Sequence, residues 1–284
     1  MSNYIQQNKQ RLSFSSKSDC WAIINEIEAS IKAKIITAGK KLAEWDISIY
    51  RGILTGYNEA FIIDGQERAR LIKEDPKSAE IIRPILRGRD IKKYEYVFSD
   101  LWLINMHNGV KAKGISPVDV NDYPAIKRHL DKFFPMLSGR ADKGDTPYNL
   151  RNCVYMDDFS KQKIVYREIS EEMDACIINE EVYVNNKCYI ITGEHLEYLI
   201  CVLNSKLFNK IILQSANQTG GKGRDFLEKI HVPYHDNDMV LTDLYRDLLT
   251  TPPPERFVLL KKIDAAVNKL YNLTREEIDY IDTL

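Results

Sequence analysis

Apolar positions fall into three textures along the chain. From Asp19 to about Ala43, Trp21, Ile24, Ile27, Ile31 and Ile35 recur at helical spacing, with Asp19 placed to cap the start and Gly39 near the end. This predicts one amphipathic helix whose apolar face needs a covering surface, on its own chain or on another domain. From Trp45 to about Asp236 the period shortens. The runs DISIY, AFIID, LWLINM, KIVYREI, EVYVNNKCYII and KIHVPY read as strands, with Asn185-Asn186 suited to a hairpin turn. Helical stretches interleave with them. Asp75-Pro76 caps and opens KSAEIIRPIL, and Tyr123-Pro124 opens a stripe of Ile126, Leu130, Phe133, Phe134 and Leu137. Leu196, Leu199, Leu203, Leu207 and Ile211 line one side of 194–213. After TTPPPE, residues 258–271 are helical by period, and Thr274 with Glu277 forms a capping box for a short last helix.

Strands clustered around a few helices, without regular βαβ alternation, predict an α+β fold. Its sheet is mixed and largely antiparallel, with packed helices, an N-terminal connector helix and a C-terminal helical tail. The expected segments are 1–44, 45–236 and 237–284.

Composition narrows the function. Of 284 residues, 44% are hydrophobic and 29% charged, which excludes a disordered chain and a fibrous rod. Lys and Arg number 40 against 41 Asp and Glu, a net charge of −1, so the chain is no bulk-charge coater of nucleic acid. The charge is uneven: residues 236–284 carry ten acids and six bases, a net of −4, which leaves +3 for residues 1–235. No apolar stretch approaches 18 residues and the first residues lack an apolar leader core, so a cytoplasmic protein without a membrane partner is expected. Five cysteines without a C-x-x-C pair argue for reduced thiols over disulfides or a zinc ribbon.

The sequence has no glycine-rich dinucleotide turn after a strand, no phosphate-binding G-x-x-x-x-G-K-[ST] and no G-x-S-x-G elbow. His231 and His235 are four apart, but Pro233 denies them the helix that would align two metal ligands. An acid ahead of an acid-x-Lys pair, as in Asp64 with Asp75 and Lys77, is the pattern of a metal-dependent nuclease. Asp75 with Asp90-Ile91-Lys92 has the same form. Helix capping and surface charge are the preferred reading of these residues, and the nuclease stands as the alternative.

Basic loops carry more information. RPILRGRDIKKY (83–94) sets Arg83, Arg87, Arg89, Lys92 and Lys93 against a single acid, Asp90. Arginine reaches guanine edges bidentately, and lysine reaches phosphates. Lys222 and Arg224 lie in the glycine loop QTGGKGRD, where missing side chains admit a phosphate to the backbone. RGILTGYN (51–58) offers Asn58 to adenine and Thr55 and Tyr57 to the backbone or a thymine methyl, although a tight turn also explains its glycines.

These stretches occur in an order that resembles one family. WDISIYRGILTGYNEAFIID, IIRPILRGRDIKKY, YPAIKRHLDKF, LRNCVYMDDFSKQKIVY, and LICVLNSKLF with a glycine loop before IHVPY are similar to the TaqI-type C-terminal specificity domain. That domain is attached to adenine-specific DNA methyltransferases of restriction–modification systems, including enzymes fused to a nuclease. The resemblance runs from about Ser18 to Asp236, and KKIDAAVNKLYNLTREEIDYI resembles the tail that often closes such proteins. It implies a target-recognition domain at 45–236 that reads double-stranded DNA and positions an N6-adenine methyltransferase. On a DNA-reading function, side-chain chemistry makes Asn58, Arg87, Arg89, Asn217 and Arg224 the expected base readers, with Arg51, Thr55, Lys92, Lys93 and Lys222 expected on phosphates.

The family's catalytic half binds S-adenosylmethionine through a glycine-rich turn and holds adenine with N-P-P-Y. TPYN (146–149) and TPPPE (251–255) match neither. The chain is therefore expected to be the recognition half alone, a fragment or a separate subunit, with no cofactor and no methyl transfer of its own. Its expected partners are duplex DNA and a methyltransferase domain or subunit, with or without a nuclease module. The helix from Asp19 would be the connector. A scaffold that docks protein through that helix and the acidic tail, without binding DNA, is a further alternative.

Overall fold

The computed structural model describes residues 25–168, 172–214, 223–234 and 239–284. The fold is α+β, with sheets dominated by antiparallel pairs, an N-terminal helix and C-terminal helices, as the pattern predicts. The chain divides into two compact units. The first draws on Met1–Ile47, Ile169–Met173 and Glu197–Leu284; the second is Ser48–Glu168 with Asp174–Leu196. This partition differs from the three consecutive segments read from sequence. Residues after Leu196 join the terminal helices, because strand His231–Val232 pairs with Lys40–Lys41 and the Tyr198 hydroxyl donates to the Pro233 carbonyl at 2.8 Å.

In the first unit the N-terminal helix runs Glu26–Ala38. Asn25 caps it, accepting from the Glu28 N–H at 2.7 Å, and Gly39 closes it. The expected cap Asp19, with Trp21 and Ile24, lies outside the described residues. Ile31 and Ile35 form the buried face, which is covered within this same unit. Ser30 Oγ and Lys34 Nζ donate to Glu277 at 2.8 and 2.6 Å. Glu277 also completes the expected capping box, accepting from the Thr274 N–H at 2.7 Å. Burial alone would raise its carboxyl, but Lys34 and the other donors outweigh burial and hold it near 2. The expected helix 194–213 starts at Leu196, pauses after Leu203 and resumes with a π turn at Phe208–Ile212. Helix Met239–Thr250, which the pattern passes over, packs on Arg256–Leu270.

The second unit holds two four-stranded sheets. One orders Ile47–Arg51, Cys188–Gly193, Lys163–Arg167 and Ala175–Ile178. The other orders Tyr183–Val184, Ile82–Leu86, Leu101–Ile104 and Ile62–Asp64, with its first pair parallel. Phe61, Leu71, Ile85, Leu103, Ile126 and Leu130 are fully buried in its core, each contributing roughly 1.5–3 kcal/mol by leaving water.

Three sequence expectations are corrected in this unit. Asp75 does cap a turn opened by Pro76, but the helix ends at Glu80 as a 3-10 segment, and Ile82–Leu86 is a strand. The β-branched isoleucines suit a sheet, and Pro84 would break a helix there. Asn185-Asn186 makes a tight turn, closed by the Cys188 N–H to the Asn185 carbonyl at 2.9 Å. It passes from one sheet to the other and forms no hairpin. The stripe after Tyr123 is two helices, Pro124–Asp131 and Phe134–Gly139, because Pro135 opens the second.

Candidate nucleic-acid interface

The basic run 83–94 becomes a clamped turn. Strand Ile82–Leu86 delivers Arg87, a 3-10 turn covers Gly88–Asp90, and a hairpin follows with Ile91–Lys92 paired to Glu95–Tyr96. Asp90 points inward and is 4% exposed. Its Oδ2 accepts from the Arg87 N–H at 2.8 Å and Nε at 3.0 Å, and its Oδ1 from Arg87 Nη2 at 3.0 Å and Ser99 Oγ at 2.8 Å. Burial alone would raise the Asp90 carboxyl, but these donors hold it below the usual carboxylate range. Backbone bonds pin both ends: the Val97 N–H donates to Asp90 O and the Tyr94 N–H to Ala175 O, each at 2.8 Å. Tyr94, the second residue of the two-residue hairpin loop, sits in the left-handed region at φ +66°.

The consequence divides the basic residues. Arg87 is bidentate on Asp90 and serves the turn, a correction to its assignment as a base reader. Arg83 pairs with Glu181 at 3.0 Å. Arg89 and Lys92 differ: both are exposed, and among the described residues neither side chain has a hydrogen-bond or ion-pair partner. Lys93 is exposed beside them, its ammonium 5.8 Å from the Tyr94 ring centre.

Loop 51–58 is built differently. Gly52 lies so near the chain at Asn185 that a Cβ would fall 2.1 Å from the Asn185 carbonyl oxygen, and Gly56 takes φ +68°. Thr55, expected on a phosphate, is 3% exposed, and its hydroxyl donates to Asn58 Oδ1 at 2.6 Å. That bond holds the oxygen of the exposed Asn58 amide, whose NH2 group makes no hydrogen bond among the described residues. Arg51 is exposed but engaged, with Nε on the Asn186 carbonyl at 2.9 Å. Beneath the loop, Arg140 donates to the carbonyls of Thr55, Asp142, Pro147 and Asn149 and stacks 4.6 Å from the Phe61 ring. Its Nε has no acceptor, and burial pushes the guanidinium down to about 10.

A family model described as the TaqI-like C-terminal specificity domain matches residues 83–229, just over half of the chain. The chain belongs to this family. The match opens at Arg83 and takes in the whole clamped turn. Among solved structures, the type IIL restriction–modification enzyme MmeI in complex with DNA is similar, at TM-score 0.60 and 14% identity over 86% of this chain and 35% of that one. The type IIG restriction endonuclease BpuSI matches at TM-score 0.47 and 13% identity, over 87% and 33%. The chain thus spans about a third of the length of these enzymes, and the likeness to MmeI is one of fold. No curated protein matches.

The remaining candidates of this specificity domain are placed as follows. Arg224 belongs to the first unit, opens helix Arg224–Leu227 and bonds Glu228 at 2.7 Å. Asn217 and Lys222 lie outside the described residues. Asp64 caps helix Gly65–Glu74, Asp75 caps Pro76–Glu80, and the Lys77 ammonium sits 4.9 Å from the Tyr123 ring centre. Among the described residues no three carboxylate, imidazole or thiol groups are set to share a metal ion, and no helix is long and apolar enough to cross a membrane.

Sequence reasoning missed Asp90, Ser99 and Arg140 as organising residues. The three-residue step from Arg87 to Asp90 was a usable signal, since it places a side chain back over the turn's first N–H. Arg140 had none, because its acceptor Thr55 is 85 residues away.

Proposed function

We propose that this chain is the DNA-specificity module of a restriction–modification enzyme. It reads a short duplex sequence through loops 51–58 and 87–96 of the second unit. The observation that carries the reading is the exposed pair Arg89 and Lys92, whose side chains have no ion-pair partner among the described residues, on a turn where Arg87 is committed to Asp90. Arg89 takes a guanine edge, Asn58 an adenine edge, and Lys92 with Lys93 the phosphates. The module sets the position of an N6-adenine methyltransferase half, which flips and methylates the base. S-adenosylmethionine belongs to that half, since the residues here contain neither its glycine-rich turn nor N-P-P-Y.

Binding selection from random duplexes tests this. A defined site should emerge, and Arg89→Ala should weaken binding to it by about 1–3 kcal/mol while relaxing preference at one position. Lys92→Ala should weaken all duplexes alike and lower the salt slope by about 1. Recovery of no preferred sequence would refute the proposal, and equal weakening by Arg89→Ala on every duplex would reassign that residue to phosphate.

A further inference from the structure

Between Arg87 and Ser99 the chain leaves a sheet, turns, makes a hairpin and returns, and the side-chain ties of Arg87 and Ser99 meet at one carboxylate. Asp90 gathers four donors, and its own carbonyl accepts from the Val97 N–H at 2.8 Å. Arg89 precedes it by one residue and Lys92 follows by two. Asp90 is nearly inaccessible, so any duplex engaged by its neighbours cannot touch it.

A long cation on a loose loop finds a phosphate in any register, and that contact carries no sequence information. Bidentate contact with a guanine edge needs the guanidinium held at a set depth and angle. We propose that Asp90, fixed by Arg87 and Ser99, is a positioning residue that sets how sharply this module discriminates between DNA sequences, without itself contacting DNA. The inference rests on the DNA-reading function above and extends it to a residue buried inside the turn. It assigns selectivity to a carboxylate that would repel phosphate if exposed. It also explains why Arg87, among five bases in the run, is spent on a bidentate pair with Asp90.

The test uses the full chain with Asp90→Asn and Ser99→Ala. Each protein is titrated with the duplex selected by the wild type and with a scrambled duplex, at two salt concentrations, alongside thermal unfolding. Asp90→Asn should reduce the ratio of selected to scrambled affinity by about tenfold or more. Ser99→Ala, which removes one rim hydrogen bond, should reduce it by about threefold to fivefold. Scrambled affinity and salt slope should stay near wild type, a pattern that simple loss of folded protein does not produce. If Asp90→Asn fails to fold, Ser99→Ala decides alone. An undiminished ratio, or parallel loss on both duplexes, overturns the role of Asp90 while leaving the reading function standing. A wild-type chain with no sequence preference overturns both.

Discussion

Two buried charges of opposite sign organise the two loops of the second unit, and they are satisfied by different means. Asp90 meets a guanidinium, a backbone N–H and a hydroxyl, so its charge is answered by a charge. Arg140 hydrogen-bonds backbone carbonyls, with a ring beneath it and the Asp142 charge nearby. The anionic clamp consumes one of the basic residues around it and leaves Arg89 and Lys92 projecting. The cationic clamp consumes no acid and leaves a neutral amide, Asn58, at the surface. The pair teaches that what a loop offers outward depends on which charge its interior must neutralise.

Breaking the second clamp should have the largest effect. Arg140→Met strands several buried carbonyls at once and should cost about 3–5 kcal/mol in denaturant unfolding. A loss below about 1 kcal/mol would mean that water replaces the guanidinium and that the loop does not depend on it.

Lys163 sharpens the contrast, because it is a second buried cation held by carbonyls. It is fully buried, donating to Lys161 O at 3.1 Å and Glu180 O at 2.9 Å, and burial pushes its ammonium down from 10.5 to about 8. Between these values the unfolded chain binds the proton and the folded chain does not. Folding stability should therefore rise with pH from about 8 to 10.5, by at most about 3 kcal/mol from this group. Lys163→Met should remove that rise and be the more stable protein at pH 7. Parallel pH profiles for the two proteins would place the titration elsewhere.

The smallest effect concerns the bond that orients Asn58. Thr55→Val keeps the shape but deletes the hydroxyl, and should cost about 1 kcal/mol in the same unfolding assay. No change would mean that the Asn58 amide is held by packing alone.

These residues also mark how far sequence reading reaches. Caps and boxes within a few residues were legible, as at Asp75-Pro76 and Thr274–Glu277, because their partners are written beside them. So were the strands at Leu101–Ile104 and Lys163–Arg167, whose apolar runs fit a buried sheet. Ile82–Leu86 was misread because a short apolar run has no period long enough to separate helix from strand. Of the candidate site, Arg89, Lys92 and Asn58 were legible as exposed polar residues. The commitment of Arg87 to Asp90 and the burial of Thr55 were not, since both depend on which side chains compete for the interior. Arg140 was invisible, as its acceptors are backbone carbonyls that any sequence would supply.

The tie between Ser30 and Glu277 has a consequence in time. These partners are 247 residues apart, and the second unit is synthesised between them. At roughly 5–20 residues per second, a ribosome needs about 12–50 s to deliver Glu277 after Ser30 has emerged. Throughout that interval Ile31 and Ile35 have no finished unit to enter, while the residues of the second unit are complete by Leu196. The reading unit therefore has the opportunity to fold first, and the first unit closes last around segments made 247 residues apart.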